Sequence, residues 1–313
     1  KIGAIAVPVN TRLTVEDIGA TIEDCGAETV VVTPEYFDPL CAILGDRTLI
    51  HIGNPDAPLS TRLAQFSDQL EPITLNAEDA TLILYTGGTT GVAKGVMLSH
   101  ANLFWNNLNE ILDTEMTERD NTLLATPLHH SAALNCWLLP HLQIGATATI
   151  MKKYTAKTFL SEIERRSITN AFSPPAMARE ILAHPTAETR DLGSFERWYI
   201  GGGILPRKDR DAVHARCPDL RIFYQYGLTE AGPIVTVLKE EDYECAPDSI
   251  GRAFCNCVVD ILRPDLSSAD PGEIGEIVMR GPQRMLGYYG RPDETAEVFH
   301  GPWLRTGDIG RMD

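Results

Sequence analysis

Residues 81–100 read TLILYTGGTTGVAKGVMLSH. The first five residues are an apolar run with β-branched and aromatic members, which predicts a buried strand. A polar loop follows, Thr86-Gly87-Gly88-Thr89-Thr90-Gly91, and then Lys94. Such a loop suits a polyphosphate. Glycines let backbone N–H groups approach an anion, threonine hydroxyls add donors, and a lysine adds a mobile charge. The loop is not the common P-loop, which has glycine directly before the lysine and a hydroxyl directly after it; here Ala93 and Gly95 flank Lys94. On composition alone, a flexible loop of small residues competes with the phosphate reading. Beyond it, Ser99 predicts a helix cap, with an apolar helical pattern through Leu103, Phe104, Leu108 and Ile111.

The whole chain has 313 residues, enough for one large domain or two ordinary ones. Its formal net charge is −16, which argues against nucleic acid or an anionic membrane as the main partner. ATP binding is not excluded, since it depends on local donors. The seven cysteines are scattered and form no CxxC pair, so a structural zinc site is not expected and a reducing, cytoplasmic setting is. Cys255 and Cys257 are expected to share one face of a strand. No apolar run reaches membrane-spanning length, and no signal peptide is evident.

Strands and helices alternate along most of the remaining chain. Residues 2–10, a helix opening at Thr14 and ending near Gly26, and a strand over 28–33 suggest a parallel crossover unit. Residues 54–78 read as a connecting region. Strands are predicted over 121–128, 145–152, 168–173, 197–200 and 221–224, and helices over 154–167 and 177–184. From Ser249 on, short alternating runs between Pro/Gly/Asp turns suggest an antiparallel subdomain.

Three stretches carry chemistry. Adjacent His129 and His130 follow Pro127; on sequence alone they read as polar residues at a strand end, because no carboxylate stands at metal-binding spacing. The strand at 197–200 runs into Gly201-Gly202-Gly203. The strand at 221–224 runs into Tyr226-Gly227-Leu228-Thr229-Glu230. There Tyr226 offers a flat face for adenine, Thr229 a hydroxyl for a phosphate, and Glu230 a hard carboxylate oxygen for Mg²⁺.

YTGGTTGVAKGV resembles the phosphate loop of the adenylate-forming enzymes, which include acyl-CoA synthetases, aryl-CoA ligases, firefly-type luciferases and peptide-synthetase adenylation domains. Their usual form is YTSGTTGxPKGV, so Gly87 replaces a serine and Ala93 a proline. The resemblance continues through residues 3–14, the PLHH segment at 127–130, GGGILP at 201–206, the intact YGLTE at 226–230, and GEIGEIVMRGPQRMLGYYGRPDETAEVF with WLRTGD after it. It implies an α/β fold, the large N-terminal domain of the acyl-CoA synthetase/luciferase-like type. Two β-α subdomains over about 1–245 would carry a β-rich one over about 246–313. It also implies further chain on both sides, including a C-terminal lysine domain that residues 1–313 do not contain.

By this resemblance His130 sits near the substrate carboxylate and α-phosphate, and Gly201, Gly202 and Gly203 line adenine and the acyl pocket. Ile204, where alanine is common, would fill space near the ligand. Lys94 would contact the outer phosphates, and Asp308 would accept both ribose hydroxyls. The implied cofactors are ATP, Mg²⁺ and coenzyme A, and the implied partner is a small carboxylic acid. Residues 127–137 contain no Asp or Glu to pair with an ammonium, which favours an acid without an α-amino group. Two rival expectations are an adenylation domain that loads a carrier protein and a non-catalytic nucleotide-binding module.

Overall fold

The structure, a computed structural model, describes residues 2–53, 63–64, 73–87 and 93–313. Its first unit is small. Helix α1 (Val15–Asp24) starts where the Thr14 hydroxyl accepts from the Asp17 backbone N–H. Strand β1 (Thr29–Val32), helix α2 (Pro34–Leu44) and strand β2 (Thr48–His51) follow, and β1 pairs with β2 in parallel. The crossover is therefore made by α2, not by the helix before it. Residues 2–10 form no named strand, and only Ala6 bridges, to Leu82.

Strands β3 (Ala80–Thr86) and β4 (Lys94–Ser99) pair antiparallel, with Thr86 opposite Lys94. The strand over Val96-Met97-Leu98 is not foreseen in the sequence reading. Because of it, the glycine-rich loop joins two paired strands and does not lead directly into a helix. Helix α3 (His100–Asp113) begins at Ser99, whose hydroxyl accepts from the Asn102 N–H while Asn102 Oδ1 accepts from the Ser99 N–H. This is a capping box with asparagine in the Glu/Gln position.

The main sheet comes next in the chain. Strand β5 (Asn121–Leu124) leads through a π-helical segment (Ala132–Leu138) and helix α4 (Leu139–Gln143) to β6 (Thr147–Ile150). Helices α5 (Ala156–Arg166), α6 (Pro175–Ala183) and α7 (Arg207–Arg216) then alternate with β7 (Asn170–Ser173), β8 (Arg197–Gly201) and β9 (Arg221–Gly227). Two further strands, β10 (Ile234–Leu238) and β11 (Arg252–Ala253), complete a seven-stranded sheet of order β11-β10-β9-β8-β7-β5-β6. Strands β5 to β9 run parallel, and β10 and β11 turn back antiparallel.

Alternating side chains place two cores on opposite faces of this sheet. Leu123, Ala171, Trp198 and Ile222 pack with Phe159, Ile163, Ile181 and Val213 of the three crossover helices. Their neighbours Leu124, Phe172, Tyr199 and Phe223 join Trp137 and the β3–β4 hairpin residues Leu84, Val96 and Leu98. Burying each such side chain contributes about 1.5–3 kcal/mol.

Beyond Ser249 the strands divide among three sheets. Strands β12 (Val258–Leu262), β13 (Gly275–Arg280), β15 (Phe299–His300) and β16 (Trp303–Gly310) form an antiparallel sheet of order β12-β13-β16-β15. The short β14 (Gly287–Tyr288) instead adds a third strand to the hairpin, beside β4, and helix α8 (Pro292–Val298) follows it. Strand β11 belongs to the large sheet. Cys255 lies exposed in a turn and Cys257 is buried, so the two do not share a strand face.

Of the apolar stripe expected on α3, Leu103 and Ile111 pack half-buried against the hairpin core, but Phe104 does not. Phe104 is 51% exposed, and the fully buried positions are Asn102, Asn106, Asn107, Asn109 and Glu110. This polar face bonds to its neighbours: Asn106 Nδ2 to the Asn135 carbonyl (2.9 Å), Asn107 Nδ2 to Gln143 Oε1 (2.8 Å), and Asn109 Oδ1 from Asn256 Nδ2 (2.9 Å). Glu110 Oε2 accepts from Gln225 Nε2 on β9 at 2.9 Å. Burial pushes the Glu110 carboxyl up to about 8, with the Asp113 charge adding to it and the Cys136 and Gln225 hydrogen bonds opposing it.

A carboxyl whose pKa is raised on folding keeps its proton in the native state while the unfolded chain loses it. Stability therefore falls as pH rises from about 4.5 to about 8. In Glu110→Gln that contribution disappears. Denaturant melts of parent and variant from pH 5 to 7.5 should show the parent losing stability relative to the variant by roughly 1.4 kcal/mol per pH unit. A constant difference across that range would contradict a protonated Glu110.

Candidate functional site

Two neighbouring parallel strands end in glycine at the same edge of the large sheet. Gly201 closes β8 opposite Gln225, and a side chain there would meet Phe172 at 2.8 Å. Gly202 then takes φ 74, in the left-handed region that suits glycine. Strand β9 ends at Gly227, where a Cβ would lie 2.0 Å from the Pro233 carbonyl oxygen. The chain turns out through Leu228 into a single 3₁₀ turn over Thr229–Ala231.

This turn separates two cavities. The smaller, of about 350 Å³, is walled by Gly202, Gly203, Ile204, Tyr226, Gly227 and Asp308 among others. The larger, of about 870 Å³, has Thr86, Gly87, Lys94, Thr229, Glu230 and Tyr288 on its walls. Strand β16 borders both, with Asp308 in one and Thr306 and Gly307 in the other. Loops at the carboxyl ends of parallel strands are where α/β sheets commonly hold ligands.

Side-chain contacts order the walls. Tyr226 donates its hydroxyl to Asp308 Oδ2 at 2.7 Å, and burial raises the phenol's pKa, with the Asp308 carboxylate adding to the rise. Tyr288 donates to Glu230 Oε1 at 2.9 Å. The Lys94 ammonium lies 4.7 Å from the centre of the Tyr288 ring. Thr229 and Ser131 hydroxyls are 3.0 Å apart. Glu276, on the same wall, is held by Arg305 at 2.7 Å and by the Gly307 N–H at 3.1 Å.

The structure thus brings Thr86, Gly87, Lys94, Thr229 and Glu230 round one cavity, and Gly202, Gly203, Tyr226, Gly227 and Asp308 round the other. Gly201 is buried behind them. Gly88, Thr89, Thr90 and Gly91 lie outside the described residues. His130 walls neither cavity; its neighbour Ser131 provides the contact with Thr229. The His129 and His130 rings stand 4.3 Å apart. Burial holds both below the ordinary imidazole range, His129 at about 4, and Arg12 depresses both further. His130 also depresses His129.

Sequence reading missed Tyr288, Ser131, Thr306 and Glu276. The GYY at 287–289 stands in a stretch already singled out, but its contact with Glu230 spans 58 residues and leaves no local signal. The larger cavity carries three carboxylates, Glu230, Glu276 and Glu297, and the Thr229 hydroxyl beside Glu230; Glu276 is engaged by Arg305 and the Gly307 N–H. No group of three His, Cys, Asp or Glu side chains placed to hold a metal occurs among the described residues. A carboxylate beside a hydroxyl is an oxygen donor set of the kind Mg²⁺ takes.

Residues 1–289 match the AMP-binding enzyme family. The chain belongs to that family. It is 34% identical over 312 residues to a feruloyl-CoA synthase of Amycolatopsis sp and 32% identical over 321 residues to an indoleacetate–CoA ligase of Aromatoleum aromaticum. These alignments cover 99% and 100% of this chain but 62% of each relative, so the chain spans less than two thirds of their length. Its fold is that of the N-terminal domain of FACL13 from Mycobacterium tuberculosis, with a TM-score of 0.91 at 27% identity, covering 99% of this chain and 78% of that one. ATP-bound MatB from Rhodopseudomonas palustris superposes with a TM-score of 0.86 at 26% identity, over 99% of this chain and 61% of that one. No helix among the described residues is long and apolar enough to cross a membrane.

The His129 imidazole should be neutral throughout the physiological range. An NMR titration of the His129 ring should give a midpoint near 4. A midpoint at or above the ordinary histidine value would contradict its burial beside Arg12 and His130.

Proposed function

We propose that the two cavities together hold Mg·ATP, and that the whole protein activates a carboxylic acid as its acyl-adenylate and passes the acyl group to coenzyme A. The observation that carries this reading is the division of the site at Gly227. An aromatic ring and a carboxylate lie on one side; on the other lie Lys94, Arg305, the Thr229 hydroxyl and three carboxylates, of which Glu276 is paired with Arg305. Adenosine suits the first side, with Tyr226 against the base and Asp308 accepting from the ribose. Triphosphate suits the second, with Lys94 and Thr229 on its oxygens. When bound, Mg²⁺ would neutralise phosphate charge beside Glu230.

In the first half-reaction an acid oxygen attacks the α-phosphorus, and the bond to the pyrophosphate oxygen breaks. The chain contributes placement and charge more than covalent chemistry. A ring N–H of His130 can donate a hydrogen bond to an oxygen of the carboxylate. In the second half-reaction the thiol sulfur of coenzyme A bonds to the acyl carbon and AMP leaves. Relatives named for feruloyl and indoleacetate thioesters, and the absence of Asp or Glu at 127–137, favour an acid without an α-amino group, aromatic acids first. A setting in the cytoplasm agrees with this chemistry and with unpaired cysteines.

The test is to give the whole protein ATP, Mg²⁺, coenzyme A and a panel of aromatic and aliphatic acids, following pyrophosphate and acyl-CoA separately. At least one acid should release pyrophosphate and then yield its thioester. In the same assay Asp308→Ala should raise the KM for ATP at least tenfold, since charge-assisted hydrogen bonds are worth about 1.5–3 kcal/mol. ATP binding with no acid-dependent pyrophosphate across the panel would point instead to a nucleotide-binding module.

A further inference from the structure

Tyr288 touches two of the charged groups that line the larger cavity. Its hydroxyl meets the Glu230 carboxylate at 2.9 Å and its ring lies 4.7 Å from the Lys94 ammonium. Only 7% of Tyr288 is exposed, and its backbone is fixed from several directions. Leu286 N–H and Tyr289 N–H donate to the Met97 and Gly95 carbonyls of β4, which locks the segment to the strand that starts at Lys94. Met285 N–H donates to the Glu230 carbonyl, which locks it to the 3₁₀ turn. Tyr288 N–H donates to Thr295 Oγ1, and that hydroxyl donates in turn to the Arg291 carbonyl.

We propose that Tyr288 is a positioning residue for the metal–phosphate half of the site, its hydroxyl fixing the Glu230 carboxylate and its ring seating Lys94. The inference rests on the Mg·ATP reading of the cleft. A glutamate on a one-turn helix has several accessible rotamers, and ordering it costs free energy each time a cation binds. A hydrogen bond to one oxygen removes much of that cost beforehand and leaves the second oxygen for a hard cation. Outer partners of this kind commonly alter metal affinity by 10- to 100-fold. The neighbouring Glu276 has no such freedom, because Arg305 and the Gly307 N–H already engage it. The aromatic face likewise attracts the ammonium without neutralising it.

The experiment measures ATP binding to the chain by calorimetry across a Mg²⁺ series, with thermal unfolding as a check on the fold. Tyr288→Phe keeps the ring and loses the hydroxyl. It should raise the Mg²⁺ concentration for half-maximal tightening about tenfold, and leave Mg²⁺-free ATP affinity within about twofold, since Lys94 keeps its seat. Tyr288→Leu should weaken Mg²⁺-free binding as well. In Glu230→Gln the tightening by Mg²⁺ should be lost, and adding Tyr288→Phe to it should change nothing further. If Glu230→Gln loses the tightening while Tyr288→Phe retains the parent's Mg²⁺ curve, Tyr288 does not position Glu230. Equal weakening by Tyr288→Phe with and without Mg²⁺ would mark a structural role only and would also overturn the proposal. If Glu230→Gln itself keeps the parent's Mg²⁺ dependence, the Mg·ATP reading of the cavity fails, and this inference fails with it.

Discussion

At Gly227 the backbone of β9 passes so close to Pro233 that no side chain fits between them: a Cβ would sit 2.0 Å from the carbonyl oxygen. Hard-sphere contact at that distance admits only glycine. The consequence is a tight reversal that ends β9, projects Thr229 and Glu230 to one side, and starts β10 antiparallel beside the strand it has just left. Tyr226, one residue earlier, stays on the other side. Both cavities and the border between them follow from this reversal.

The rest of the fold holds that edge in register. Parallel strands buried on both faces give β8 and β9 a rigid base. Helix α3 reaches the base from the hairpin side through buried polar bonds as well as the half-buried Leu103 and Ile111. Glu110 takes hold of Gln225, the residue beside Tyr226, and Asn106 holds the π-helical segment that follows Ser131. Buried polar groups are costly when unpaired, so such a face fixes one orientation of the helix more sharply than packing alone. Across the cleft, β14 joins the hairpin to the Glu230 turn, which links the far end of the chain to the wall of the larger cavity.

Much of this was readable in advance because it rests on local chemistry. The glycines that close β8 and the Tyr226-Gly227 that ends β9 are short stretches whose residue types announce close backbone approach, and Asp308 was singled out through its resemblance to the family's RTGD. Crossover helices α5 and α6 were expected near their places; α7 was not, because Arg210 and Val213 are its only buried residues and leave no apolar stripe to read. The misses share one cause, which is dependence on partners far along the chain. Val96-Met97-Leu98 becomes a strand because Ile83 and its neighbours pair with it. Phe104 is exposed while Asn106 and Asn107 are buried because the Asn135 carbonyl and Gln143 Oε1 wait to accept from them. Nothing near Tyr288 in sequence points to Glu230. Cys255 and Cys257 fail to share a face because the chain turns between them.

The most direct test of the account is a crystal structure of the chain with Mg²⁺ and a non-hydrolysable ATP analogue. The base should lie in the smaller cavity between Gly202–Ile204 and Tyr226, the ribose on Asp308, and the phosphates past Thr229 towards Lys94, with Mg²⁺ on Glu230. A nucleotide seated elsewhere, for instance in the apolar groove between Val7 and Val31, would contradict it.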